Sequence, residues 1–457
     1  MEKFLEPESV AVIGASPDPR KGGYALVANL KEKFSTGLYP VHPAAKMVCG
    51  VKAVARIEEL LKPVDLAIVF VRAPLVPAIL EELGAKGIRR VMIQSAGFAE
   101  TGPPGIALQA QCLAVARRFA MRIWGPNCMG AINATTGMVA SFMRPDIWKQ
   151  QLRPGGVSLV VQSGMLSAGF LLQVLKEEYF GLSKACSIGN KCDVNECDLL
   201  EYLAKDETTE VIGMYLESIA DAARLRKLVG GMKKPLVVLK GGTSGQGARA
   251  ATSHTGALAG KALVMDGLLR QLGVHRAFDF TEMVDLLRSL TLWKGKTLGP
   301  RIGILTFSGA SGIVATDHLD RHGMRLAVLS EKSVRALKNV FPAWMEPRNP
   351  VDLWPAIERV GREAYSTALE ALLNDPGVDG IYIHLYVDAL LLKDMLQALM
   401  PLAHAEKTVA IWVIGDSACF PILRKHVEAM GAPVFSEISR GSMTLGRVLN
   451  TQFPLAS

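Results

Sequence analysis

The residues from 240 to 260 combine a single imidazole with small, flexible neighbours, a composition that suits an anion-binding loop. They read KGGTSGQGARAATSHTGALAG, follow the β-branched run PLVVL and precede a segment with helical spacing. The loop therefore leaves the carboxyl end of a predicted buried strand, where open α/β sheets bind their ligands. With an ordinary pKa of about 6.5, His254 would be an unprotonated nucleophile at neutral pH, and Ser253, Thr255 and Gly256 offer N–H and O–H groups to a phosphate. The same residue types also fit a linker with an incidental surface histidine, so composition alone leaves both interpretations open.

Two further strand ends carry groups that suit phosphate chemistry. The predicted strand VSLVV is followed by Gln162, Ser163 and Gly164, which open a predicted helix. A helix N-terminus carries a partial positive charge and stabilises a nearby anion by roughly 0.3–1 kcal/mol at the surface. The predicted strand VIGMYL ends at Glu217, on the sheet edge expected for the histidine loop, where a carboxylate could accept the imidazole N–H and determine which nitrogen attacks. A solvated strand-end residue is the alternative interpretation of Glu217.

The first predicted strand, VAVIG, ends in a turn that suits a phosphorylated adenosine compound. Gly14 is followed by Ala15 and Ser16, and Arg20 and Lys21 stand just before a predicted helix. Two cations beside the N–H groups of a helix N-terminus favour phosphate. The turn departs from the G-x-G-x-x-G pattern of nicotinamide-binding domains, because Gly14 is followed by two residues that are not glycine.

The remaining strand ends of this region argue against a nicotinamide cofactor and favour a thiol-bearing ligand. A nicotinamide-binding domain places an acidic residue at the end of the second strand to hold the ribose hydroxyls, whereas this chain has His42 and Pro43 there. The turns QSAGFAETG, which contains Ser95 and Gly97, and GPNCMGAIN, which contains Asn127, offer small residues and side-chain amides. A pantetheine thiol or its target could sit there, although each turn by itself also fits an ordinary connection from strand to helix.

Length, charge and cysteine usage narrow the class of protein. The chain of 457 residues is too long for one core, and 49% hydrophobic residues, 21% charged residues and 43 glycines are typical of an α/β protein. The net charge of +8 is spread without a basic block, which favours anionic small molecules over nucleic acid. Seven cysteines without a CxxC pair, and an amino terminus without a secretory pattern, predict reduced thiols in the cytoplasm.

Two features that could indicate a membrane span or a metal site have simpler interpretations. The uncharged stretch 154–175 is long enough to span a bilayer, but its polar centre, at residues 162–164, favours a strand, a turn and a helix. His318 and His322 share a helix face at positions i and i+4. No third ligand accompanies them, so an exposed polar face is favoured and no metal is predicted.

Alternating strand and helix patterns predict an α/β fold built from three doubly wound units. The first unit covers residues 1–137, the second 150–294 and the third 298–457, and the Pro-rich, polar segment 138–155 is predicted to be a linker. FSGASGIVATD in the third unit repeats the plan of QSGMLSAG in the second, a strand followed by a Ser-Gly turn and a helix. The repeat indicates that these two units are related flavodoxin-like domains.

In this order and spacing the motifs resemble a single family, and the resemblance covers nearly the whole chain. VAVIGASPDPRKGG, YPVHP, SAGFAETG and GPNCMG are similar to its CoA-binding domain. QSGMLSAG, SIGNKCDVNECDLLEYLAKD, YLES and ARAATSHTGALAG are similar to its first ligase domain, and SGASG and NPVDLWP to its second. The family is that of the α-subunits of NDP-forming acyl-CoA synthetases (ADP-forming acetate–CoA ligases), relatives of succinyl-CoA synthetase. The chain departs from the family at His42, where Asn is usual, and at Met165, where Ala is usual. The larger side chain at position 165 would change the acyl pocket more than the chemistry.

The resemblance implies a Rossmann-like CoA-binding domain followed by two flavodoxin-like doubly wound ligase domains. It implies a reversible reaction in which acyl-CoA, NDP and phosphate give a carboxylic acid, CoA and NTP through an acyl phosphate and a phosphorylated His254, with Glu217 orienting the imidazole. No segment resembles an ATP-grasp domain, so the expected protein is a heteromer whose ATP-grasp β-subunit binds ATP or ADP and Mg. A CoA- or acyl-CoA-binding regulatory protein with a degenerate site is the alternative. The implied phosphate-binding residues are Gln162, Ser163, Gly164, Ser253, Thr255 and Gly256, and the implied CoA-binding residues are Gly14, Ala15, Ser16, Arg20, Lys21, His42, Pro43, Ser95, Gly97 and Asn127.

Overall fold

The computed structural model describes residues 1–148, 151–247 and 262–452, which form two compact units, Met1–Val284 and Asp285–Ser457. The first unit contains two large sheets and the second contains one. The predicted α/β class with parallel sheets is therefore confirmed. The domain bounds predicted from the sequence, at 1–137, 150–294 and 298–457, stay a prediction.

The first sheet has five parallel strands, and those at its centre are buried on both faces. Helices cover it because each apolar strand is followed by a segment with helical spacing. Its spatial order is β2-β1-β5-β6-β7, and a separate antiparallel pair, β3 and β4, follows β2. The strands are β1 Val10–Ile13, β2 Leu38–Val41, β3 Met47–Val48, β4 Val51–Lys52, β5 Leu66–Val69, β6 Arg90–Ile93 and β7 Arg122–Trp124, and the helices are α1 Glu2–Leu5, α2 Gly22–Leu30, α3 Val76–Ala85 and α4 Pro103–Arg118.

The second sheet has seven strands, of which five form a parallel core. Its order is β14-β13-β12-β10-β11-β8-β9, and β8 and β9 pair antiparallel at one edge. Its strands are β8 Gly130–Asn133, β9 Met138–Ala140, β10 Pro154–Val161, β11 Leu182–Ser187, β12 Val211–Leu216, β13 Leu236–Lys240 and β14 His275–Ala277. Its helices are α5 Gly164–Lys176, α6 Glu196–Lys205, α7 Ala222–Gly230, α8 Ala262–Gln271 and α9 Phe280–Leu292.

The linker predicted over 138–155 is wrong in part. Met138–Ala140 is strand β9, and the β8–β9 hairpin pairs with β11 through β8, so residues placed in or after the first domain complete the second sheet. The hairpin was missed because its small residues give a weak strand pattern, and its pairing with β11 supplies the burial that stabilises it. By contrast, the stretch 154–175 forms strand β10 and helix α5, as predicted. Within the described ranges, no helix is both long and apolar enough to span a bilayer.

The unit Asp285–Ser457 contains one parallel sheet of six strands. Its order is β16-β15-β18-β19-β20, and β17 also pairs with β15. Its strands are β15 Arg301–Thr306, β16 Arg325–Leu326, β17 Val351–Asp352, β18 Gly380–Val387, β19 Thr408–Gly415 and β20 Val434–Phe435. Its helices are α10 Gly309–Arg321, α11 Glu331–Lys338, α12 Trp354–Val360, α13 Glu363–Leu373, α14 Leu392–Ala398, α15 Phe420–Glu428 and α16 Ile438–Gln452.

The parallel core of each large sheet follows the same spatial order, 2-1-3-4-5, when its strands are counted along the chain. In a doubly wound sheet the connections run in opposite directions on either side of strand 1, which opens a crevice beyond the carboxyl ends of strands 1 and 3. In the first sheet this switch point lies between β1 and β5, and in the second between β10 and β12. The topology therefore places two crevices in the first unit.

Candidate active site

The turn after β1 lies at the switch point of the first sheet and depends on two glycines. Gly14 has a φ of +91°, and a Cβ on it would lie 2.3 Å from the carbonyl oxygen of Phe70, at the end of β5. A Cβ on Gly23 would lie 2.1 Å from the carbonyl oxygen of Gly14. The predicted CoA turn thus packs helix α2 directly against the strand end. Ala15 and Ser16 are buried in this turn, which leaves the N-terminus of α2 as its polar end.

Three cations surround a cleft beside that helix end. Lys21 occupies the N-cap position of α2, and the exposed Arg20 forms a two-pronged ion pair with Asp18 at 3.0 Å, which lowers the pKa of this carboxyl to about 2. Arg144, which sequence reasoning missed, faces the same cleft and pairs with Asp146 at 2.6 Å. The cleft has a volume of 450 Å³ and is lined by Pro19, Arg20, Lys21, Gly22, Tyr24, Ala25, Phe142, Arg144, Pro145 and Asp146.

His42 is held in one orientation by its own turn. Its Nδ1 accepts hydrogen bonds from the backbone N–H groups of Ala44 at 3.2 Å and Ala45 at 2.8 Å. The neutral ring therefore carries its proton on Nε2, which leaves a donor for a ligand. Pro43 is exposed beside it. His42 lies at the carboxyl end of β2, the neighbour of β1.

The other two predicted CoA turns are linked at the ends of β6 and β7. The Ser95 hydroxyl accepts from the Val71 N–H at 3.1 Å, and the Ser95 carbonyl accepts from the Asn127 N–H at 2.9 Å. Gly97 has a φ of +108°, and Asn127 has a φ of +57°. The structure thus brings the turns after β5, β6 and β7 together, and the assignment of Ser95, Gly97 and Asn127 to CoA stays a prediction.

A loop of the second sheet closes over these turns. The Asn190 side-chain amide donates to Glu100 at 2.6 Å, and the Asn127 amide donates to Asn190 at 3.3 Å. Glu100 also accepts from the backbone N–H groups of Gly97 and Phe98. Burial raises the pKa of the Glu100 carboxyl, but the hydrogen bonds from Asn190 and from these N–H groups outweigh burial and lower it below the ordinary value. Asn190 was missed, although its place just after a buried strand was a usable signal.

Gln162 and Glu217 meet across the switch point of the second sheet. Gln162 follows β10 and is 4% exposed, and its side-chain oxygen accepts from the backbone N–H groups of Glu217 at 2.8 Å and Ser218 at 3.0 Å. Its side-chain NH₂ donates to the Ser218 hydroxyl at 3.2 Å. Ser163 then occupies the N-cap position of α5, and Gly164 is the first residue of that helix. Gln162 therefore connects the helix end predicted to bind phosphate to the backbone of Glu217, whose side chain is the predicted orienting carboxylate.

The surroundings of Glu217 are buried and rich in polar groups. Glu217 itself is 7% exposed, and the Tyr215 hydroxyl donates to its carboxylate at 3.4 Å. Burial, with the Glu217 charge as the next cause, raises the pKa of Tyr215 to about 12. The Lys191 ammonium donates to the Ser218 carbonyl at 2.6 Å and to Glu196 at 2.9 Å. Burial lowers the pKa of Lys191, although the charge of Glu196 opposes this shift.

The loop predicted to carry the nucleophile begins next to Glu217. Strands β12 and β13 are parallel neighbours in which Leu216 pairs with Lys240, and the Lys240 ammonium donates to the Glu217 carbonyl at 2.7 Å. Lys240 is buried, so its ammonium acts as an internal anchor between the ends of these two strands. Ser253, His254, Thr255 and Gly256 lie outside the described residues. Within the described ranges, no three His, Cys, Asp or Glu side chains converge as metal ligands would.

Comparison with known proteins agrees with this architecture. Residues 8–134 match the CoA binding domain family, and residues 154–290 match the family described as succinyl-CoA ligase like flavodoxin domain. The chain is 38% identical over 381 residues to subunit alpha of the ADP-forming acetate–CoA ligase II of Pyrococcus furiosus, a match that covers 83% of this chain and 81% of that protein. It is 32% identical over 452 residues to the ADP-forming acetate–CoA ligase II of Archaeoglobus fulgidus, covering 98% of this chain but 66% of that protein. The chain thus spans slightly less than two thirds of the Archaeoglobus protein.

A solved structure extends the similarity to the fold. The dinucleotide forming acetyl-coenzyme A synthetase 1 of Ca. Korarchaeum cryptofilum, in complex with phosphate and ADP, matches with a TM-score of 0.88 and 26% sequence identity. The match covers 99% of this chain and 96% of that chain. The chain therefore belongs to the family of the α-subunits of ADP-forming acyl-CoA synthetases.

Proposed function

We propose that the chain is the CoA-binding and phosphoryl-transferring subunit of an ADP-forming acyl-CoA synthetase. The reaction is acyl-CoA + ADP + phosphate ⇌ carboxylic acid + CoA + ATP. Matches to named synthetases over 83% and 98% of the chain support an enzyme over the regulatory alternative.

The reaction divides into three displacements. A phosphate oxygen attacks the thioester carbonyl, the C–S bond breaks, and the CoA thiolate leaves and takes up a proton. A ring nitrogen of His254 then attacks the phosphorus of the acyl phosphate, and the P–O bond breaks to release the carboxylate. Finally an oxygen of the ADP β-phosphate attacks phosphohistidine, and the N–P bond breaks to give ATP. Each step joins two positioned groups, which removes much of the entropic barrier.

The observation that carries the proposal is the link between Gln162 and Glu217. It spans the switch point, where doubly wound sheets bind ligands, because the Gln162 side-chain oxygen accepts from the backbone N–H groups of Glu217 at 2.8 Å and Ser218 at 3.0 Å, next to the N-terminus of α5. The loop that carries His254 leaves the adjacent strand, β13. A phosphate at the helix end and an imidazole oriented by Glu217 would thus come from neighbouring strand ends. Lys191, buried at the same edge and paired with Glu196, holds the Ser218 carbonyl and so supports the backbone that Gln162 bonds.

The CoA assignment is supported by the chemistry of the turns after β1, β2, β6 and β7. The α2 N-terminus with Lys21 and Arg20 suits the CoA phosphates, and the His42 Nε2–H suits a further polar group. Asn127 contacts Asn190, from a loop of the second sheet, and Ser95 contacts Asn127, so the thiol would meet the acyl group near these turns. We further propose that an ATP-grasp β-subunit binds the nucleotide with its Mg.

Phosphoryl labelling tests this function in two arms. The isolated chain incubated with ³²P-labelled acetyl phosphate should carry label on His254, whereas labelled ATP should label it only when the β-subunit is present. His254→Ala should abolish both signals. His426→Ala, which removes an exposed histidine of helix α15, is the matched control and should label normally. Normal labelling of the His254→Ala variant would overturn the mechanism.

A further inference from the structure

A small cavity lies beneath the first turns of helix α5. Its volume is 30 Å³, and its walls are almost entirely apolar. They come from the start of the β8–β9 hairpin and the segment after β9, from β10, β11 and α5, together with one indole that follows the 3₁₀ turn at Pro145–Ile147. The lining residues used below are Met129, Trp148, Val161, Ala168 and Cys186.

The cavity lies next to the proposed phosphate site and next to the turn assigned to the CoA thiol. Val161 directly precedes Gln162, and Ala168 lies one turn into α5 from Gly164. A Cβ on Gly164 would lie 3.7 Å from the Cγ of Met129, which is two residues beyond Asn127. The cavity therefore lies between the helix end assigned to phosphate and the turn assigned to the CoA thiol. A thioester carbonyl at that junction would direct its chain inward.

Trp148, one of the residues that line this apolar space, carries a buried donor without a partner among the described residues. The residue is 3% exposed, and within the described ranges its indole N–H is buried without an acceptor. Other buried indoles of the chain are paired, since Trp124 donates to the Ser187 carbonyl at 2.7 Å and Trp293 to the Val409 carbonyl at 3.1 Å. A buried donor without a partner is unfavourable unless a ligand or water supplies an acceptor. The nearby Cys186 adds no charge, because burial raises its pKa to about 12.

The size of the cavity limits what can enter. A single water molecule needs about 10–15 Å³ on this measure, so the space admits two or three non-hydrogen atoms. Apolar walls exclude a carboxylate, so the carboxyl group must stay at the phosphate end while the chain enters. We propose that this cavity selects short-chain acids with an oxygen on the chain, such as glycolate or 3-hydroxypropionate, and that the Trp148 indole donates to that oxygen. The inference rests on the proposed synthetase function and specifies its substrate class.

Thioester binding to the isolated full chain tests the inference separately from catalysis. Calorimetry would compare CoA, glycolyl-CoA, the isosteric propionyl-CoA and the bulky benzoyl-CoA. Glycolyl-CoA should bind about 3- to 10-fold more tightly than propionyl-CoA, the factor expected of one net hydrogen bond. It should bind at least about 10-fold more tightly than benzoyl-CoA, whose ring exceeds the space. Equal or tighter binding of benzoyl-CoA would overturn the inference, whereas failure of CoA itself to bind would overturn the CoA assignment beneath it.

Two variants identify the groups responsible. Trp148→Phe keeps most of the ring volume but removes the donor, so the preference for glycolyl-CoA over propionyl-CoA should disappear while CoA affinity stays unchanged. Trp344→Phe alters an indole that is 77% exposed and should change neither the preference for glycolyl-CoA nor the affinity for CoA. Ala168→Val adds two methyl groups to the wall and should lower the affinity for both short thioesters relative to CoA. A glycolyl preference that survives Trp148→Phe would show that the indole does not contact the chain.

Discussion

Replacing Gln162 by methionine tests whether this side chain connects the N-terminus of α5, the predicted phosphate site, to the backbone of Glu217. The substitution preserves the length of the side chain but removes an oxygen that accepts from the N–H groups of Glu217 and Ser218 at 2.8 and 3.0 Å. Both contacts are buried, so two donors lose their acceptor at about 1–3 kcal/mol each. We expect the free energy of unfolding to fall by about 2–6 kcal/mol. If water satisfies one donor, the loss falls to about 1–3 kcal/mol, the cost of the remaining one.

Urea denaturation of the whole chain, followed by hydrogen exchange at residues 217 and 218, would measure this effect. Exchange of these two amides should accelerate more than exchange of amides in the strand that precedes them, because the lost acceptor acts locally. Gln271→Met, at an exposed position at the end of α8, is the matched control and should change stability by less than about 0.5 kcal/mol. A loss below about 1 kcal/mol for Gln162→Met, with unchanged exchange at 217 and 218, would refute the structural role assigned to Gln162.

Three further predictions address the CoA turn, the orienting carboxylate and a buried ion pair. Lys21→Ala should weaken CoA binding by about 1.5–3 kcal/mol in calorimetry and leave the fold intact, since it removes one charge-assisted contact at the α2 N-terminus. Unchanged CoA affinity or tight NADH binding would contradict the CoA assignment. Glu217→Gln should slow His254 labelling by about 10²–10⁴-fold without abolishing it, and an unchanged rate would exclude orientation by this carboxylate. Asp206→Asn should cost about 3–5 kcal/mol of stability, because it leaves the fully buried Lys184 ammonium without the carboxylate that it contacts at 2.7 Å. Burial raises the pKa of Asp206, but hydrogen bonds from Lys184 and Thr209 outweigh burial and lower this pKa below 3.8. The wild-type chain should therefore keep the stability of the ion pair above about pH 4 and lose it as the pH falls through the lowered pKa. The variant should show a weaker dependence of stability on acid pH.

Much of the fold could be predicted from local patterns. The strand Val10–Ile13, for example, is apolar throughout and is followed by a glycine turn and a helical segment, which together predict a doubly wound unit. Gly14, Gln162 and Glu217 could be singled out as candidate site residues because each follows a recognisable strand, and parallel strands end at a shared edge. Their roles stay predictions. The role of Gln162 was not predictable, since it depends on which backbone donors lie within reach of its amide.

The sequence by itself determined the periodicity, the strand ends and the family of this protein, because these depend on residue types at short separations. The tertiary structure was needed to show that the β8–β9 hairpin belongs to the second sheet, that Gln162 bonds residues 55 and 56 positions away, and that the Trp148 indole, beside a cavity, has no acceptor among the described residues. Pairing, hydrogen bonding and free volume at such separations depend on how distant segments pack against one another. Packing against distant segments is not encoded in any single stretch of chain.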